Sequence, residues 1–345
     1  MQGMRVAVLG ATGAVGGEVI RLLAERRFPV AELRLLASAR SAGRQIPYGD
    51  ERITVQAVSE DAFEGIDIAF FGAGGSVSRR YAPAALDRGA VVIDKTSAFR
   101  LQEGVPLVIP EVNGDDLRDH AGLIASPNCS TTILALVLAP LLRAAGVRRV
   151  VVSTYQSVSG AGARAMEELE AQIRAAASGE EAVAEILPAA DAPRHYPILN
   201  NVIPQVEHFA EMGYTTEEWK LLYETRKILH APDLRLTATC VRVPVLRCHA
   251  ESVNVETETR LTAAEARRIL SEAPGVRVLD DPEAMNYPMP RDWSGRDEVA
   301  VGRIREDPSQ PNGLNLWVVG DQIRKGAALN AVQIAETLLA RGLVH

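Results

Sequence analysis

The sequence predicts an α/β protein with a first domain built on a parallel sheet, a second α+β domain, and a C-terminal helix that returns to the first domain. Short apolar strands alternate with helix patterns over the first part of the chain, as is typical of a parallel sheet covered by helices on both faces. Further along, strand patterns rich in Val and Thr indicate a mixed or antiparallel sheet. The length of 345 residues is also sufficient for two domains.

The first domain is expected to alternate strands with helices. Residues 5–9 are a short apolar run that predicts a buried strand, and residues 15–25 have the spacing of an amphipathic helix. The same reasoning predicts strands at 32–37, 66–71, 91–94 and 107–109, and a short helix at 82–88. Parallel strands separated by helices give a Rossmann-like domain, which we expect to span residues 1–128.

The second domain is expected at residues 129–324, and the returning helical segment at 325–345. The predicted helices are 162–177, 217–229, 263–272 and 327–341; the predicted strands are 236–245, 250–259, 299–304 and 315–319; a loop with several prolines covers 178–216. The last helix is long enough to reach back onto another domain.

Composition narrows the class of protein. The formal net charge of −7 gives no basic stripe for nucleic acid. The longest apolar run, 131–142, is shorter than the roughly 20 residues that span a bilayer, and residues 1–13 lack the features of a signal peptide. Three cysteines are too few, and odd in number, for a secreted disulfide framework. A protein of the reducing cytoplasm is expected.

A glycine-rich segment, GATGAVG, joins the first strand to the first helix and contains Gly10, Gly13 and Gly16. Binding a dinucleotide pyrophosphate requires a tight turn, close backbone approach and N–H donors at a helix N-terminus. The spacing is G-x-x-G-x-x-G rather than the usual G-x-G-x-x-G, and glycine turns follow many strands. The position between strand and helix nevertheless favours a dinucleotide site.

The end of the second strand indicates which dinucleotide is bound. NAD sites usually place Asp or Glu there to hold the ribose hydroxyls, whereas this chain has Ser38, Arg40 and Ser41 and no acid. A planar guanidinium suits a 2′-phosphate, and the serines add hydroxyl donors. We therefore predict NADP; an exposed loop arginine is the alternative.

Cys129 lies in the segment SPNCSTT, before an apolar helix expected at about 132–144 that Asn128 or Ser130 could cap. The positive end of a helix favours the thiolate over the thiol, and the nearby N–H groups could stabilise an oxyanion. Together with a nicotinamide cofactor, this predicts hydride transfer to or from a carbon bound to sulfur. A buried core cysteine is the alternative, and the context of Cys240 and Cys248 indicates that structural role.

The chain resembles the aspartate-semialdehyde dehydrogenase family over essentially its whole length. The matching segments are GATGAVG, SARSAG (38–43), TSAFR (96–100), PEVN (110–113), SPNCSTT (126–132), YQSVSGAG (155–162), EEWK (217–220), ETRKIL (224–229), CVRVPVLRCH (240–249) and VVGDQIRKGAALNAVQIAE (318–336). So many segments in one order are very unusual by chance.

The resemblance implies an activity. It is the NADPH-dependent reductive dephosphorylation of 4-phospho-L-aspartate to L-aspartate 4-semialdehyde through a cysteine thioester, in the biosynthesis of lysine, threonine and methionine. It also implies that the second domain is catalytic and dimerising, in a homodimer or, alternatively, a tetramer. No metal is implied.

The resemblance also implies roles for individual residues. Cys129 would be the nucleophile, His249 its acid–base partner, and Gln156 would orient the substrate. Substrate ions would be held by Arg242 (α-carboxylate), Glu217 (amino group), and Arg100 with Lys220 (phosphate). The expected cofactor-binding residues are Gly10, Thr12, Gly13, Ala14, Val15, Gly16, Ser38, Arg40, Ser41, Ser159, Gly160 and Gln322.

Two features need structural information. A straight strand from Arg242 to His249 would span ~23 Å at about 3.3 Å per residue, too far for both to reach one small molecule, so we expect a bend, with Pro244 a plausible place. Residues 94–97 read Asp-Lys-Thr-Ser where the family commonly has Asp-Asn-Ser-Ser. Lys95 would either strengthen anion binding or point to solvent.

Two other functions stay open at this point. One is a reductase for another acyl phosphate or a CoA thioester, such as N-acetylglutamyl phosphate or malonyl-CoA, since these reactions share the fold and the cysteine chemistry. The other is a catalytically silent NADP-binding regulator, in which Cys129 would be unreactive. The pair formed by Arg242 and Glu217 favours a free amino acid, because it offers one charge for each substrate ion.

Overall fold

The computed structural model describes residues 3–344, which form two compact units, residues 3–128 with 327–344, and Cys129–Gly326. The first unit contains β1 (Met4–Leu9), α1 (Ala14–Glu25), β2 (Val30–Ala37), β3 (Gln45–Tyr48), β4 (Glu51–Thr54), β5 (Gln56–Ala57), β6 (Ile68–Phe71), α2 (Gly75–Asp87), β7 (Val91–Asp94), α3 (Pro110–Asn113), β8 (Leu123–Ala125) and the C-terminal helix α9 (Leu329–Arg341). Its main sheet is parallel, in the order β5-β2-β1-β6-β7-β8, and β3 and β4 form a separate antiparallel hairpin.

The core of the first unit includes side chains from α9. Leu329 and Leu338 are fully buried in one apolar cluster with Val6, Leu22 and Ile68. Burial of such side chains typically contributes about 1.5–3 kcal/mol each. The predicted return of the C-terminal helix to the first domain is therefore confirmed.

The second unit contains α4 (Cys129–Ala145), β9 (Val147–Gln156), α5 (Ala163–Ser178), α6 (Thr216–Ile228), β10 (Arg235–Arg242), β11 (His249–Thr257), α7 (Ala263–Ser271), β12 (Val276–Val278), α8 (Pro290–Trp293), β13 (Val299–Glu306) and β14 (Gly313–Gly320). Its six-stranded mixed sheet has the order β10-β9-β11-β14-β13-β12. Helix α4 packs on β9, β11 and β14, and α6 packs on β10. We call the sheet face under these two helices the inner face.

The predicted fold class, an α/β protein with a parallel-sheet domain and an α+β domain, is confirmed. Several boundaries were wrong. Residues 107–109 form only an isolated bridge from Leu107 to Ala125, because Pro110 starts α3 directly afterwards. Helix α2 begins at Gly75 rather than at residue 82, since Gly74, with φ of 102°, makes the turn from the preceding strand.

Two further differences concern the second unit. Helix α4 begins at Cys129, three residues earlier than expected, and β10 ends at Arg242 rather than at 245. No strand was predicted at 147–156, where β9 lies between the edge strand β10 and β11. This omission matters because β9 carries Gln156 into the site described next.

Candidate active site

Cys129 is the first residue of α4, and its Sγ lies 3.4 Å from Nε2 of His249, the first residue of β11. Cys129 is partly exposed, whereas Cys240 and Cys248 are buried. Burial raises the pKa of both of these thiols, so they remain protonated. Cys129 is therefore the thiol that combines access, a helix N-terminus and a histidine partner.

The hydrogen bonds of His249 determine which ring nitrogen carries the proton. The backbone N–H of Ser157 donates to Nδ1 at 3.1 Å, so Nδ1 is an acceptor and the proton resides on Nε2, facing Cys129. Burial, and secondarily the charge of Arg242, lowers the pKa of His249 to about 3. The ring is thus neutral at neutral pH and is placed to donate a hydrogen bond to sulfur.

Burial of the neutral imidazole predicts a pH-dependent stability. Between pH 6.5 and about 3, the unfolded chain takes up a proton at this position and the folded chain does not. The contribution of His249 to stability is therefore lost as pH falls, by up to about 1.4 kcal/mol per pH unit. Denaturant unfolding at several pH values should show this slope, and His249→Asn should reduce it. The exposed His208 is the control: if His208→Asn flattens the slope equally, the explanation is wrong.

Three of the predicted side chains share one row on the inner face. Gln156 at the end of β9 pairs with Arg242 on β10, and Tyr155 pairs with Ala250 on β11, so His249 follows next to Gln156. The bend expected between Arg242 and His249 is present, because β10 and β11 lie on opposite sides of β9. In the connecting segment Cys248 has a left-handed φ of 76°. We call Arg242, Gln156 and His249 the catalytic row.

Helix α6 adds charge to this row. Gln156 Nε2 donates to Ser130 Oγ at 2.5 Å and to Glu217 Oε1 at 3.0 Å. Lys220 Nζ lies 3.3 Å from Glu217 Oε2 and 2.5 Å from Glu207 Oε1. With a side chain only 4% exposed, Glu217 is not one of the solvated surface pairs common on helices. Glu207 was missed by the sequence analysis because it lies in the long loop before α6.

Arg242 is fully buried and has one donor without an acceptor. Its Nη1 donates to the carbonyl oxygen of Ser157 at 2.7 Å, but within residues 3–344 its Nε has no hydrogen-bond partner. Burial lowers the pKa of Arg242, and the charge of Glu217 opposes this effect. Because an unpaired buried donor costs about 1–3 kcal/mol, this geometry favours an anionic ligand as the missing acceptor.

The loop after β9 comes very close to the catalytic row. A Cβ atom on Gly160 would lie 2.8 Å from Arg242 Nη1 and 3.2 Å from His249 Nε2, so a larger residue there would displace the Arg242 guanidinium. Ser159 Oγ accepts a hydrogen bond from Gln322 Nε2, and Gln322 Oε1 accepts one from the backbone N–H of Cys248. The predicted residues Ser159, Gly160 and Gln322 therefore lie together and support the segment that carries His249.

Gly326 is a residue that the sequence analysis missed and that the structure places against the nucleophile. A Cβ atom there would lie 2.9 Å from Cys129 Cβ and 3.2 Å from Cys129 Cα. Gly326→Ala is therefore expected to displace Cys129 and lower kcat by about 10- to 100-fold, since a shift near 1 Å can have that effect. Gly17→Ala, which meets nothing within 4 Å, is the matched control. Equal kcat values for the two variants would contradict the prediction.

In the first unit, a cleft of about 790 Å³ lies beside the glycine loop. Gly10, Thr12, Gly13 and Ser38 line it, and its lining includes no acidic side chain. Gly10 has a φ of 94°, which glycine adopts readily, and a Cβ on Gly16 would lie 2.2 Å from the Gly10 carbonyl oxygen. Ala14 and Val15 begin α1. These residues fit a dinucleotide with a 2′-phosphate better than one with free ribose hydroxyls.

Arg40 lies in a short 3₁₀ turn directly after β2 and is exposed, and the neighbouring Ser41 Oγ is 3.5 Å from Thr12 Oγ1. Arg40→Ala is expected to weaken NADPH binding by about 10- to 100-fold, the loss of a hydrogen bond to a charged group, and to leave NADH binding unchanged. Fluorescence titration of both cofactors measures this, with the exposed Arg44→Ala as the control. Equal losses for NADPH and NADH would argue against a 2′-phosphate contact.

Arg100 and Lys95 belong to the first unit. The Arg100 guanidinium donates to the carbonyl oxygens of Ser126 at 3.0 Å and Lys95 at 2.8 Å. Lys95 Nζ donates to the carbonyl oxygen of Pro127, so the alternative in which Lys95 merely points to solvent is wrong. Both cations therefore donate to backbone carbonyl oxygens of residues 126–127, directly before Asn128.

Within residues 3–344, none of the helices has the length and apolar character to cross a bilayer. The same residues contain no cluster of three or more His, Cys, Asp or Glu side chains that could hold a metal ion.

Two family models match most of the chain. The model for the semialdehyde dehydrogenase NAD binding domain matches residues 5–120, and that for the semialdehyde dehydrogenase dimerisation domain matches residues 138–325. Among curated proteins, the aspartate-semialdehyde dehydrogenase of Bacillus subtilis (strain 168) is 50% identical over 344 residues, covering 99% of each chain.

Solved structures show the same similarity. Aspartate semialdehyde dehydrogenase II from Vibrio cholerae, complexed with ASA, has a TM-score of 0.93 at 42% identity and covers 99% of both chains. Aspartate semialdehyde dehydrogenase with NADP from Candida albicans has a TM-score of 0.75 at 25% identity, covering 99% of this chain and 100% of that one. The similarity therefore extends over both units.

Proposed function

This chain belongs to the aspartate-semialdehyde dehydrogenase family, and from that premise we propose that the residues described above perform the family's reaction. The chain catalyses the NADPH-dependent conversion of 4-phospho-L-aspartate to L-aspartate 4-semialdehyde and phosphate, in the biosynthesis of amino acids of the aspartate family. The single observation that supports the residue assignment is the 3.4 Å contact between Cys129 Sγ and His249 Nε2 at the start of α4.

The reaction begins at sulfur. The Cys129 thiolate, stabilised by the helix N-terminus and by the hydrogen bond from His249 Nε2, attacks the acyl carbon. The bond from carbon to the phosphate oxygen breaks with its electron pair on phosphate, and a thioester remains on the enzyme. Since Nδ1 of His249 accepts a backbone N–H and burial lowers the pKa of the ring to about 3, we replace the acid–base role implied by the resemblance with hydrogen-bond donation from Nε2 to developing negative charge.

Reduction and release complete the cycle. When bound, NADPH supplies the hydride that reduces the thioester carbon. His249 Nε2–H then stabilises the resulting oxyanion. The oxygen lone pair re-forms the carbonyl, the carbon–sulfur bond breaks, and the aldehyde leaves while Cys129 returns to the thiolate. Atoms and electrons balance without net proton transfer from the histidine.

Charged side chains on the row and on α6 recognise the substrate. Arg242, with its unpaired buried Nε, holds the α-carboxylate, and Glu217 holds the ammonium group. Gln156, which donates to Glu217, keeps this carboxylate oriented beside the acyl carbon. Lys220 binds phosphate, which competes with Glu207 for the Lys220 ammonium group. The family resemblance assigns phosphate binding to Arg100 as well.

The cofactor is NADP. The residues that would hold it are Gly10, Thr12, Gly13, Ala14, Val15, Gly16, Ser38, Arg40 and Ser41 of the first unit, and Ser159, Gly160 and Gln322 of the second. Support comes from the cleft without acidic side chains and from the arginine after β2. Residues 1–128 form the NADP-binding domain, 129–324 the catalytic and dimerisation domain, and 325–345 the helical segment that packs on the first.

The assembly is a homodimer that binds the substrate, in agreement with the match to a dimerisation domain. Pairing of dimers into a tetramer is a further possibility that sedimentation would test. The reaction takes place in the cytoplasm, where a reducing environment keeps the Cys129 nucleophile as a free thiol.

One assay tests the proposed function directly. Purified protein is mixed with L-aspartate 4-semialdehyde, NADP⁺ and phosphate, and formation of NADPH is followed by absorbance. We expect turnover only when all three are present, because phosphate must attack the thioester in this direction. N-acetylglutamate semialdehyde serves as the comparison substrate, and a higher rate on it would replace the proposed substrate. Turnover that does not depend on phosphate would contradict the mechanism.

A further inference from the structure

A second row of side chains lies directly beneath the catalytic row on the inner face. Glu251 on β11 pairs with Thr154 on β9, and Thr154 pairs with Cys240 on β10. Because side chains alternate along a strand, these three point to the same face as His249, Gln156 and Arg242, two residues deeper. We call Glu251, Thr154 and Cys240 the floor row. No step of the proposed mechanism uses Glu251.

Among the described residues, the carboxyl group of Glu251 is isolated from solvent and from hydrogen-bond donors. The residue is 0% exposed, and within residues 3–344 neither carboxyl oxygen has a hydrogen-bond partner. A carboxylate anion in such a place would lose its hydration with no compensation, so the neutral acid is strongly favoured.

The titratable groups near the floor row are Glu217 and Glu218 on α6, Arg242 on β10 and His249 on β11, besides Cys240 in the row itself. Of these, Glu217 adds to the preference for the neutral acid. Glu218 already accepts the backbone N–H groups of Thr215 and Cys240. Burial first, and then the negative charge of Glu217, raises the pKa of Glu251 well above its usual range. Two carboxyl groups in one low-dielectric region cannot both ionise at low cost.

Glu217 is the partner that ionises. Its carboxylate accepts from Gln156 Nε2 and pairs with Lys220, and it interacts favourably with Arg242. Glu251 has none of these contacts. Because their surroundings differ in this way, we assign the proton to Glu251 and the negative charge to Glu217.

We propose that Glu251 is a positioning residue that is protonated at neutral pH and keeps the floor row neutral, so that Glu217 is the only anion of the pair facing the substrate ammonium group. The inference rests on the proposed role of Glu217 in binding that group. An ionised Glu251 would place a second negative charge beside Glu217, which would favour protonation of Glu217 and loss of its charge for recognition.

Infrared difference spectroscopy tests where the proton resides. A protonated carboxyl group gives a carbonyl stretch distinct from that of carboxylates and amides. In D₂O at neutral pH we expect this band in the wild-type enzyme, its loss in Glu251→Gln, and its retention in Glu256→Gln, which changes a partly exposed acid on the same strand. Absence of the band from the wild-type enzyme, or its persistence in Glu251→Gln, would overturn the proposal.

The pH dependence of stability is an independent measure. Above pH 4.5 the unfolded chain ionises at position 251 while the folded chain does not, so wild type loses stability relative to Glu251→Gln as pH rises. The ratio of their unfolding constants should change by up to about tenfold per pH unit. A ratio that does not change with pH would also overturn the proposal.

Glu217→Gln separates the inference from the proposed function. Without the charge of Glu217, the carbonyl band of Glu251 should disappear at a lower pH than in the wild type, and an unchanged titration would overturn the coupling. Substrate affinity is read in the same variant. One outcome is that the KM for aspartate semialdehyde stays unchanged while the pH at which the Glu251 band disappears falls. In that case the assignment of Glu217 to the ammonium group is wrong, and the assignment of the proton to Glu251 stands.

Discussion

Replacement of Cys129 by alanine is expected to lower kcat by about 10³- to 10⁶-fold, the range seen when a catalytic nucleophile or a member of its unit is removed. The reason is that every bond change in the proposed cycle passes through the sulfur, which lies 3.4 Å from His249 Nε2. Binding of NADPH should be unchanged, because the predicted phosphate-binding loop lies in the first unit. Phosphate-dependent NADPH formation measures the rate, and fluorescence titration measures cofactor binding.

Cys240→Ala supplies the matched control for this prediction. Cys240 is also a lone thiol in the second unit, but it is fully buried on β10, whereas Cys129 contacts His249. Its removal should reduce stability by a small-cavity effect of about 1 kcal/mol and leave kcat near normal. Near-normal turnover of Cys129→Ala, or trapping of the acyl group on a residue other than Cys129, would reject the thioester mechanism.

The parts of the site that were predictable from sequence depend on local order along the chain. Gly10, Gly13 and Gly16 lie between a strand and a helix, and Cys129 lies at a helix start, so each signal is contained in one short segment. The strongly apolar strands of the first domain were predicted for the same reason, since strands buried on both faces are continuous apolar runs. Boundary errors occurred where glycine or proline changes the chain direction, as at Gly74 and Pro110.

Strand β9 was not predicted because residues of the site interrupt its apolar pattern. Its inner face should alternate apolar residues, but positions 154 and 156 are Thr and Gln because they belong to the floor row and the catalytic row. Local pattern and global fold disagree most often at such sites. The polar residues at the end of β9 therefore weakened the apolar alternation from which a strand is predicted.

Other features depend on residues far apart in sequence. The tautomer of His249 follows from the backbone N–H of Ser157, which is 92 residues away. Position 326 requires glycine because it contacts Cys129. The neutral state of Glu251 results from its burial and from the negative charge of Glu217. None of these has a local signature, because each results from strand pairing and helix packing.

Substitution of Arg242 by lysine is expected to raise the KM for aspartate semialdehyde and to lower kcat/KM by about 30- to 1000-fold, which corresponds to roughly 2–4 kcal/mol for a buried charge contact. Lysine keeps the charge but removes the fork of guanidinium donors, including the unpaired Nε that we assign to the substrate α-carboxylate. Initial rates over a range of aspartate semialdehyde concentrations measure the effect, whereas the KM for phosphate should stay near its wild-type value.

Arg235→Lys is the control, since Arg235 lies at the exposed start of the same strand and should tolerate the change. A substrate analogue without the α-carboxylate provides a second control. Wild type and Arg242→Lys should use that analogue with similar kcat/KM, because the group that Arg242 recognises is absent. If the variant loses as much activity on the analogue as on aspartate semialdehyde, Arg242 acts through the structure of the catalytic row, and the carboxylate assignment is wrong.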